Sequence, residues 1–235
     1  MSVIGLITSY VHTAWRAKPG SVVSMLSLDL AGAYDNVHPD KLLEILRRKG
    51  LPEWMLRVLT SFTQGRRTRI TYTGFKSEWM EVRAGIPQGS PLSPILFLFF
   101  ISELLERFQD PTADVLGFGF VDDTNLITWG VSAEENCRRL TAAYSQCEDW
   151  AKEHSAQFAP DKYQLIHFTR RKRHAREDLA STVQVNNHRV DVQEKAIRVL
   201  GVWLDPGLTW KEHVSQAVRK GLAASEALLR ITTAT

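Results

Sequence analysis

The chain has 235 residues, of which 44% are hydrophobic and 23% are charged. These values are ordinary for globular proteins, so they exclude an intrinsically disordered chain. Twenty-nine Lys and Arg against 26 Asp and Glu give a formal net charge of +3, which by itself is too small to indicate a nucleic-acid partner. With only two cysteines, Cys137 and Cys147, a disulfide-stapled secreted fold is excluded.

Signals for membrane insertion or secretion are also missing from the sequence. The longest apolar run, Ile95–Ile101, is far shorter than the roughly 20 residues that span a bilayer. The segment after Met1 has neither the basic start nor the small-residue cleavage site of a signal peptide. We therefore expect no membrane partner and no secretion.

The first part of the chain predicts a helix, a buried strand and a second helix. Apolar residues recur at helical spacing over Val3–Arg16, and the β-branched, apolar run over Val22–Leu30 is typical of a buried strand. Pro39 stands where a first-turn proline belongs, and Gly50 is expected to end the second helix. The predicted inward face of this helix consists of Leu42, Leu43 and Leu46.

The middle of the chain predicts a helix, a hairpin and another helix. A third helix is expected over Pro52–Gln64, and polar and apolar residues then alternate around Gly74, as they do in a β-hairpin. The next helix is expected to take Ser93 as its cap and Pro94 as its first residue. These signals leave a loop between the hairpin and the helix.

The remainder predicts two strands at an acidic turn, a long helix, short strands and a last helix. The two strands flank Asp122 and Asp123, and the long helix covers Ala133–His154. Short strands are expected at YQLIHF, TVQV and AIRVLGVWL, and the last helix over Trp210–Leu229. Because hairpins interrupt the alternation of helices and strands, the predicted class is α+β with a mixed or antiparallel sheet.

Three carboxylates lie among apolar neighbours. Asp29 follows the apolar run MLSL, and Asp122 and Asp123 stand between GFGFV and TNLITW. An unpaired buried carboxylate costs several kcal/mol, so such a residue normally has a cation or a cleft beside it. Each site alone is explained equally well by a solvated strand end or a turn. Together they suit hard cations such as Mg²⁺, two of which, ~3.5–4 Å apart, catalyse phosphoryl transfer.

The loop AGIPQGSPLSP lies between these acidic sites in the sequence. Gly85 and Gly89 carry no side chain and Pro87 fixes its φ angle, so the backbone and Gln88 can approach a flat ligand such as a nucleotide or base pair. For any PQG triplet taken alone, a tight loop that leads into a helix is the better explanation.

Five segments, in this order, resemble the motifs of reverse transcriptases. Motifs A, B and C are similar to LDLAGAYDNV, GIPQGSPLSPILF and FVDD, and motifs D and E to FAPDKYQLIHF and VLGVWLDPGLTW. The resemblance is in particular to the non-LTR (LINE-like) retrotransposon enzymes of filamentous fungi, and it covers nearly the whole chain. It implies a polymerase palm, that is, a ferredoxin-like or RRM-like sheet backed by helices.

The resemblance implies a metal site and a sugar gate. Asp29, Asp122 and Asp123 match the catalytic carboxylates that hold two Mg²⁺ ions, with Mn²⁺ as an alternative. Tyr34 matches the aromatic residue that rejects a ribose 2′-hydroxyl, and packing in the core would explain this residue equally well.

The resemblance also implies contacts with substrates. Gln88 and Gly89 match residues that contact the incoming nucleotide and the template. Lys162 matches the motif D lysine proposed as proton donor to the departing pyrophosphate, although a lone lysine at a strand entrance is more often a solvated charge. Leu200 and Gly201 fall where the family's primer-gripping hairpin lies.

Basic residues cluster in two places. Arg66, Arg67 and Arg69 open the predicted hairpin, and we expect them to contact a nucleic-acid backbone, because phosphates attract such clusters. A second basic run over 170–176 is explained at least as well by a solvated loop, or by a nuclear localisation signal.

The implied activity is RNA-directed DNA polymerisation. We expect residues 1–205 to form the palm with a remnant of the fingers, and residues 206–235 to begin a truncated thumb. The expected partners are an RNA template, a DNA primer and dNTPs, and the expected location is the nucleus. Two alternatives stay open: an inactive retrotransposon-derived fragment that at most binds nucleic acid, and a metal-dependent nuclease.

Overall fold

The computed structural model of the chain describes residues 2–110, 113–121, 123–171 and 177–232. Helices and strands occur together along the chain, which confirms the predicted α+β class. In these residues the helices are α1 (Val3–Ala17), α2 (Pro39–Arg48), α3 (Glu53–Thr63), α4 (Leu92–Glu106), α5 (Ala133–His154) and α6 (Lys211–Thr232).

Strands occupy the segments between these helices. They are β1 (Val22–Asp29), β2 (Arg67–Thr68), β3 (Thr71–Tyr72), β4 (Phe75–Lys76), β5 (Met80–Glu81), β6 (Leu116–Phe120), β7 (Asp123–Gly130), β8 (Gln164–Phe168), β9 (Val183–Val185), β10 (His188–Val190), β11 (Ile197–Val199) and β12 (Val202–Leu204). One sheet has the strand order β6-β7-β1-β8. The other pairs, all antiparallel, are β9 with β10, β11 with β12, β2 with β5 and β3 with β4.

The chain divides into two compact units. Unit 1 comprises Met1–Leu26, Ile127–Thr141 and Gln164–Thr235, and unit 2 comprises Ser27–Leu126 and Ala142–Tyr163. Strands β1 and β7 are each divided, so the C-terminal end of β1 and the N-terminal end of β7 both belong to unit 2. The expected division into palm (1–205) and thumb (206–235) stays a prediction.

Unit 2 has a core rich in aromatic side chains. Phe100 packs edge-to-face on Trp150, with the ring centroids 5.4 Å apart, and Phe97 lies beside Phe100. The leucines predicted to form the inward face of α2 are buried, as the helical spacing indicates. We call the following residues the aromatic cluster: Phe97, Phe100, Tyr144, Trp150, Phe158 and Tyr163.

Unit 1 encloses a buried polar contact among apolar residues. Ser24 Oγ lies 2.7 Å from His167 Nδ1, and the Asn136 amide donates a hydrogen bond to the same Ser24 oxygen at 3.0 Å. Since buried polar groups are costly without partners, these contacts allow Ser24 and His167 to lie in the interior.

The predicted elements are largely confirmed, but β10 was not predicted, AIRVLGVWL forms two strands, and the start of α4 differs. Helix α4 begins at Leu92 with Pro91 as its cap residue, so the prediction of Ser93 as cap and Pro94 as first residue is wrong. The reason is that the Ser93 hydroxyl donates back to the Pro87 carbonyl at 2.6 Å from within the first turn. Both cysteines are buried and free.

Candidate functional site

The C-terminal end of β1 carries an ion pair. Asp29 is the last residue of β1, and its side chain is 26% exposed. Its Oδ2 accepts a hydrogen bond from Lys162 Nζ at 2.8 Å, while the Lys162 side chain remains 65% exposed. A carboxylate predicted from the sequence to need a cation therefore has one.

Backbone hydrogen bonds bring Lys162 to Asp29 across 133 residues of sequence. The Ala31 N–H donates to the Gln157 carbonyl at 2.8 Å, and the Ala159 N–H donates to the Asp29 carbonyl at 2.9 Å. Leu30 and Phe158 form an antiparallel bridge between these bonds. A short 3₁₀ turn, Pro160–Lys162, follows directly. The bridge therefore sets the position of Lys162 relative to Asp29.

The second acidic position begins β7, the strand next to β1. Asp123 is half-buried at the N-terminal end of β7, which lies in unit 2 together with the C-terminal end of β1. Val121, two residues earlier, has a φ angle of 58°. A β-branched residue in this left-handed region is strained, and such strain is concentrated at functional turns. Asp122, the other predicted ligand, lies outside the described residues.

The residues present suit a hard divalent cation. Carboxylate oxygens are the ligands that Mg²⁺ and Mn²⁺ prefer, whereas zinc prefers nitrogen and sulfur. Within residues 2–110, 113–121, 123–171 and 177–232, no three His, Cys, Asp or Glu side chains group as metal ligands. Asp29 and Asp123 therefore form the described part of the predicted set of three.

Gln88 is oriented by a carboxylate that sequence reasoning left without a role. The Gln88 amide Nε2 lies 3.0 Å from both Oδ1 and Oδ2 of Asp35. Asp35 follows Tyr34 in the segment after β1. The sequence pattern placed Asp35 in motif A, but nothing in it indicated a partner 53 residues away.

The loop that carries Gln88 is fixed to the segment after β1 through its backbone. The Gly85 N–H donates to the Val37 carbonyl and the Ile86 N–H donates to the Tyr34 carbonyl, both at 2.8 Å. Gly85 has a φ angle of +83°, and a Cβ placed there would lie 2.7 Å from the Asp35 carbonyl oxygen. Both the conformation and the close approach therefore require glycine at this position.

Gly89 follows Gln88 with a φ angle of +87° and open space around it. Its conformation alone favours glycine, because L-residues rarely adopt this region. The structure thus places Gln88 between two glycines that the backbone geometry needs.

Tyr34 is half-buried and lies over Phe97 of the aromatic cluster. The two ring centroids are 5.3 Å apart with the planes inclined by 27°, a stacked arrangement. Because Phe97 belongs to α4, one face of the Tyr34 ring is covered by this helix. The gate role and the packing role expected from the sequence are compatible with this geometry.

The three predicted phosphate-binding arginines have different surroundings. Arg66 donates to the carbonyl oxygens of Thr63 at 3.2 Å and Ala84 at 2.8 Å, and also to that of Gly85. Its guanidinium thus holds the end of α3 and the start of the Gln88 loop together. Arg67 is exposed, and Arg69 lies over the Trp79 ring at 4.6 Å from the centroid.

Leu200 and Gly201 belong to unit 1, whereas the site residues described so far belong to unit 2. They form the two-residue turn between β11 and β12, with φ angles of 47° and 84°. Positive φ at both positions is typical of a tight type I′ hairpin. The hairpin expected from the resemblance is therefore present, and its contact with a primer stays a prediction.

A sequence profile of the family described as reverse transcriptase (RNA-dependent DNA polymerase) matches residues 6–204. The chain belongs to the reverse transcriptase family. The match includes the acidic positions, the Gln88 loop and Lys162, and it extends to the end of β12.

Curated relatives are RNA-directed DNA polymerases of non-LTR retrotransposons, as the motifs predict. The polymerase from mobile element jockey of Drosophila melanogaster is 28% identical in an alignment 204 residues long that covers 83% of this chain and 21% of the relative. The Pol polyprotein from the R2 element of Nasonia vitripennis is 30% identical over 67% of this chain and 15% of the relative. The chain spans about a fifth of the length of such relatives, and the fungal type stays a prediction.

Solved structures share the fold. Telomerase from Candida tropicalis in complex with the TWJ fragment of telomeric RNA aligns with a TM-score of 0.61 at 12% identity, over 86% of this chain and 32% of the telomerase. Apo telomerase from the same organism gives a TM-score of 0.59 at 15% identity, over 87% and 35%. The fold is therefore of the polymerase palm type. None of the described helices is long and apolar enough to cross a membrane.

Proposed function

We propose that this chain provides the palm site of an RNA-directed DNA polymerase that extends a primer 3′-OH with dNTPs. The observation that carries the proposal is the pairing of Asp29 with Lys162 at the end of β1, in the same unit as Asp123 at the start of the neighbouring strand β7. Charge that develops during nucleotidyl transfer needs such fixed groups, since catalysis there consists mainly of positioning and electrostatic stabilisation.

Membership of the family implies dependence on a divalent metal, and we propose that the metal is Mg²⁺, bound as two ions. Asp29, Asp122 and Asp123 would hold them through carboxylate oxygens. When bound, the ions supply activation of the attacking hydroxyl and stabilisation of the leaving oxygen. The remaining steps fall to side chains of this chain.

Lys162 is the proposed proton donor to the leaving pyrophosphate. Its ammonium group reaches Asp29 at 2.8 Å, and most of its side chain is exposed, so it can turn from the carboxylate toward a bound triphosphate. A lysine on a flexible stem suits this exchange, because its three donors rotate freely.

Tyr34 and Gln88 are the proposed determinants of nucleotide choice. Stacking on Phe97 restricts the Tyr34 ring, so the ring can exclude a 2′-hydroxyl without moving aside. Asp35 holds the Gln88 amide nitrogen, which leaves the amide oxygen and the Gly89 backbone to meet the base pair. A site built in this way would prefer dNTPs to rNTPs.

The proposed partners are an RNA template and a DNA primer, and the proposed location is the nucleus. Support for RNA comes from the names of the relatives and from the RNA-bound Candida telomerase, both of which concern those proteins themselves. The primer and nuclear location rest on the family resemblance.

Primer extension on poly-rA/oligo-dT tests the proposal. We expect Mg²⁺-dependent incorporation of dTTP by the chain, and loss of it in Asp123→Ala. The matched control is Asp149→Ala, an exposed aspartate on α5 of the same unit, which should leave incorporation unchanged. Absence of incorporation at every enzyme concentration would contradict the proposal in favour of the inactive fragment. Shortening of the primer from its 3′ end would favour the nuclease.

A further inference from the structure

The hairpin over 66–83 presents aromatic side chains to solvent. It follows α3 and precedes the Gln88 loop, and it contains β2 to β5. Tyr72 is 76% exposed and Phe75 is 58% exposed. Large apolar side chains grouped in the open in this way mark an interaction surface more often than scattered ones do.

Tyr72 and Phe75 form a cross-strand pair. They face each other in the antiparallel ladder of β3 and β4, on either side of a turn in which Gly74 has a φ angle of +77°. Directly opposed residues project from the same face of a ladder, so the two rings lie side by side. Ile70, two residues before Tyr72 and also exposed, belongs to this face by alternation.

A third exposed aromatic residue is accompanied by a cation. Trp79 lies under the guanidinium of Arg69, 4.6 Å from ring centroid to Cζ. The pairing changes by one residue between the ladder of Tyr72 with Phe75 and the ladder of Thr68 with Met80, so the returning strand holds one extra residue, as in a β-bulge. The cation–π contact restricts the indole ring ahead of binding.

The hairpin also carries a local excess of positive charge. Residues 66–83 contain five Arg or Lys and two Glu, a net charge of +3. Among the described residues, Arg67 and Lys76 have no ion-pair partner. At the base of the hairpin, Arg66, Arg67 and Arg83 line a cleft of about 280 Å³.

We propose that this hairpin binds single-stranded nucleic acid, with bases stacked on Tyr72 and Phe75 and phosphates held by Arg67 and Lys76. Aromatic platforms flanked by cations are the usual means of binding single strands without sequence preference. A polyanion is favoured over a protein partner, because cationic side chains lie beside the exposed rings and the hairpin has a net charge of +3. The inference goes beyond the proposed function, since binding of this kind needs no polymerisation.

The binding is tested with fluorescein-labelled oligo-rA and oligo-dT of roughly 20 nucleotides, by fluorescence anisotropy on the whole chain in EDTA. We expect Tyr72→Ala and Phe75→Ala each to weaken binding by about 5- to 150-fold, the usual effect of losing one stacked base. We expect Lys76→Gln to weaken binding to both oligonucleotides alike and to lower the slope of log K against log salt by about 0.7.

Two further variants separate base stacking from general apolar contact. Tyr72→Phe keeps the ring, so we expect an affinity within about twofold of the wild type. Tyr72→Leu keeps an apolar side chain without a ring and should bind as weakly as Tyr72→Ala. The control is Trp54→Ala on α3, an equally exposed aromatic residue outside the hairpin, which should bind as the wild type does.

Three results would overturn the proposal. These are unchanged binding by Tyr72→Ala, an equal loss in Trp54→Ala, or wild-type binding by Tyr72→Leu. If sedimentation showed that the wild type is a dimer and Tyr72→Ala a monomer, the hairpin face would bind a second copy of the chain instead. Unchanged circular dichroism melting verifies that the variants fold. Because EDTA removes the metal, a failure of polymerisation leaves this result intact, and the converse also holds.

Discussion

Two regions of unit 2 differ in how their side chains are held. The carboxylate end, which we define as Asp29, Asp123 and Lys162, is partly exposed and joined by an ion pair between distant segments. The aromatic cluster is largely buried, and its rings contact one another at centroid distances of 5.3–6.4 Å when Tyr34 is included. The first region is accessible to ligands, and the second is a packed interior.

This difference separates chemistry from stability. A partly exposed ion pair contributes ~0–1 kcal/mol to folding, because water solvates both charges. Buried aromatic residues contribute far more through area removed from water and through packing. Substitutions at the carboxylate end should therefore affect activity, and substitutions in the aromatic cluster should affect the free energy of unfolding.

The largest expected effect is that of Asp29→Ala on primer extension. Loss of this carboxylate removes a proposed metal ligand and the partner of Lys162, so we expect incorporation to fall by at least ~10³-fold. The urea midpoint should move little, by the equivalent of ~1 kcal/mol or less. A strongly destabilised but active variant would reverse the comparison between the two regions.

Phe100→Ala should have the opposite signature. The ring is buried against Trp150 and His154, with centroids 5.4 Å and 5.8 Å away, and its removal leaves a cavity. We expect a loss of about 3–5 kcal/mol in the free energy of unfolding, measured by urea denaturation. Leu98→Ala, an exposed position on the same helix α4, is the control and should cost little. Comparable losses in both variants would show that the cluster is not a packed core.

A smaller effect is expected at Asp35, the carboxylate that contacts the Gln88 amide. In Asp35→Asn only one acceptor oxygen remains for the Gln88 amide, so its orientation is lost in part. We expect kcat/KM for dNTP incorporation to fall ~10-fold with stability unchanged. The control is Asp40→Asn, which removes a similar contact, from the Gln64 amide at 3.0 Å, away from the loop. Equal effects of the two variants would exclude a positioning role for Asp35.

The sequence predicted elements better than it predicted contacts. Helix periodicity located α5 at Ala133–His154, and ordered motifs identified the family over residues 6–204. The start of α4 was misplaced, because the hydrogen bond from Ser93 to Pro87 depends on how the loop folds back. The contact of Gln88 with Asp35 and the carbonyl contacts of Arg66 were missed for a similar reason. Such contacts are set by tertiary structure, which local patterns do not contain.

The last expected effect is absent at neutral pH and is the alkaline pH dependence of stability that Cys147 confers. Cys147 is buried in unit 2, and burial chiefly raises the pKa of its thiol from 9.0 to about 12. Burial likewise raises the pKa of Tyr144 and of Tyr163, whose hydroxyl groups lie 3.0 Å apart in the aromatic cluster.

Between pH 9 and pH 12 the unfolded chain releases the Cys147 proton while the folded chain retains it. The contribution to stability is therefore complete below pH 9 and is lost as the pH rises toward 12, by about 1 kcal/mol per pH unit. Urea midpoints measured from pH 7 upward should fall less steeply in Cys147→Ala than in the wild type. The Asp29→Ala variant should show the same fall of the urea midpoint with pH as the wild type, because this fall arises from the buried thiol. If the urea midpoints of the wild type and of Cys147→Ala fell in parallel with pH, the thiol would have the same pKa in the folded and the unfolded chain, and the prediction would be wrong.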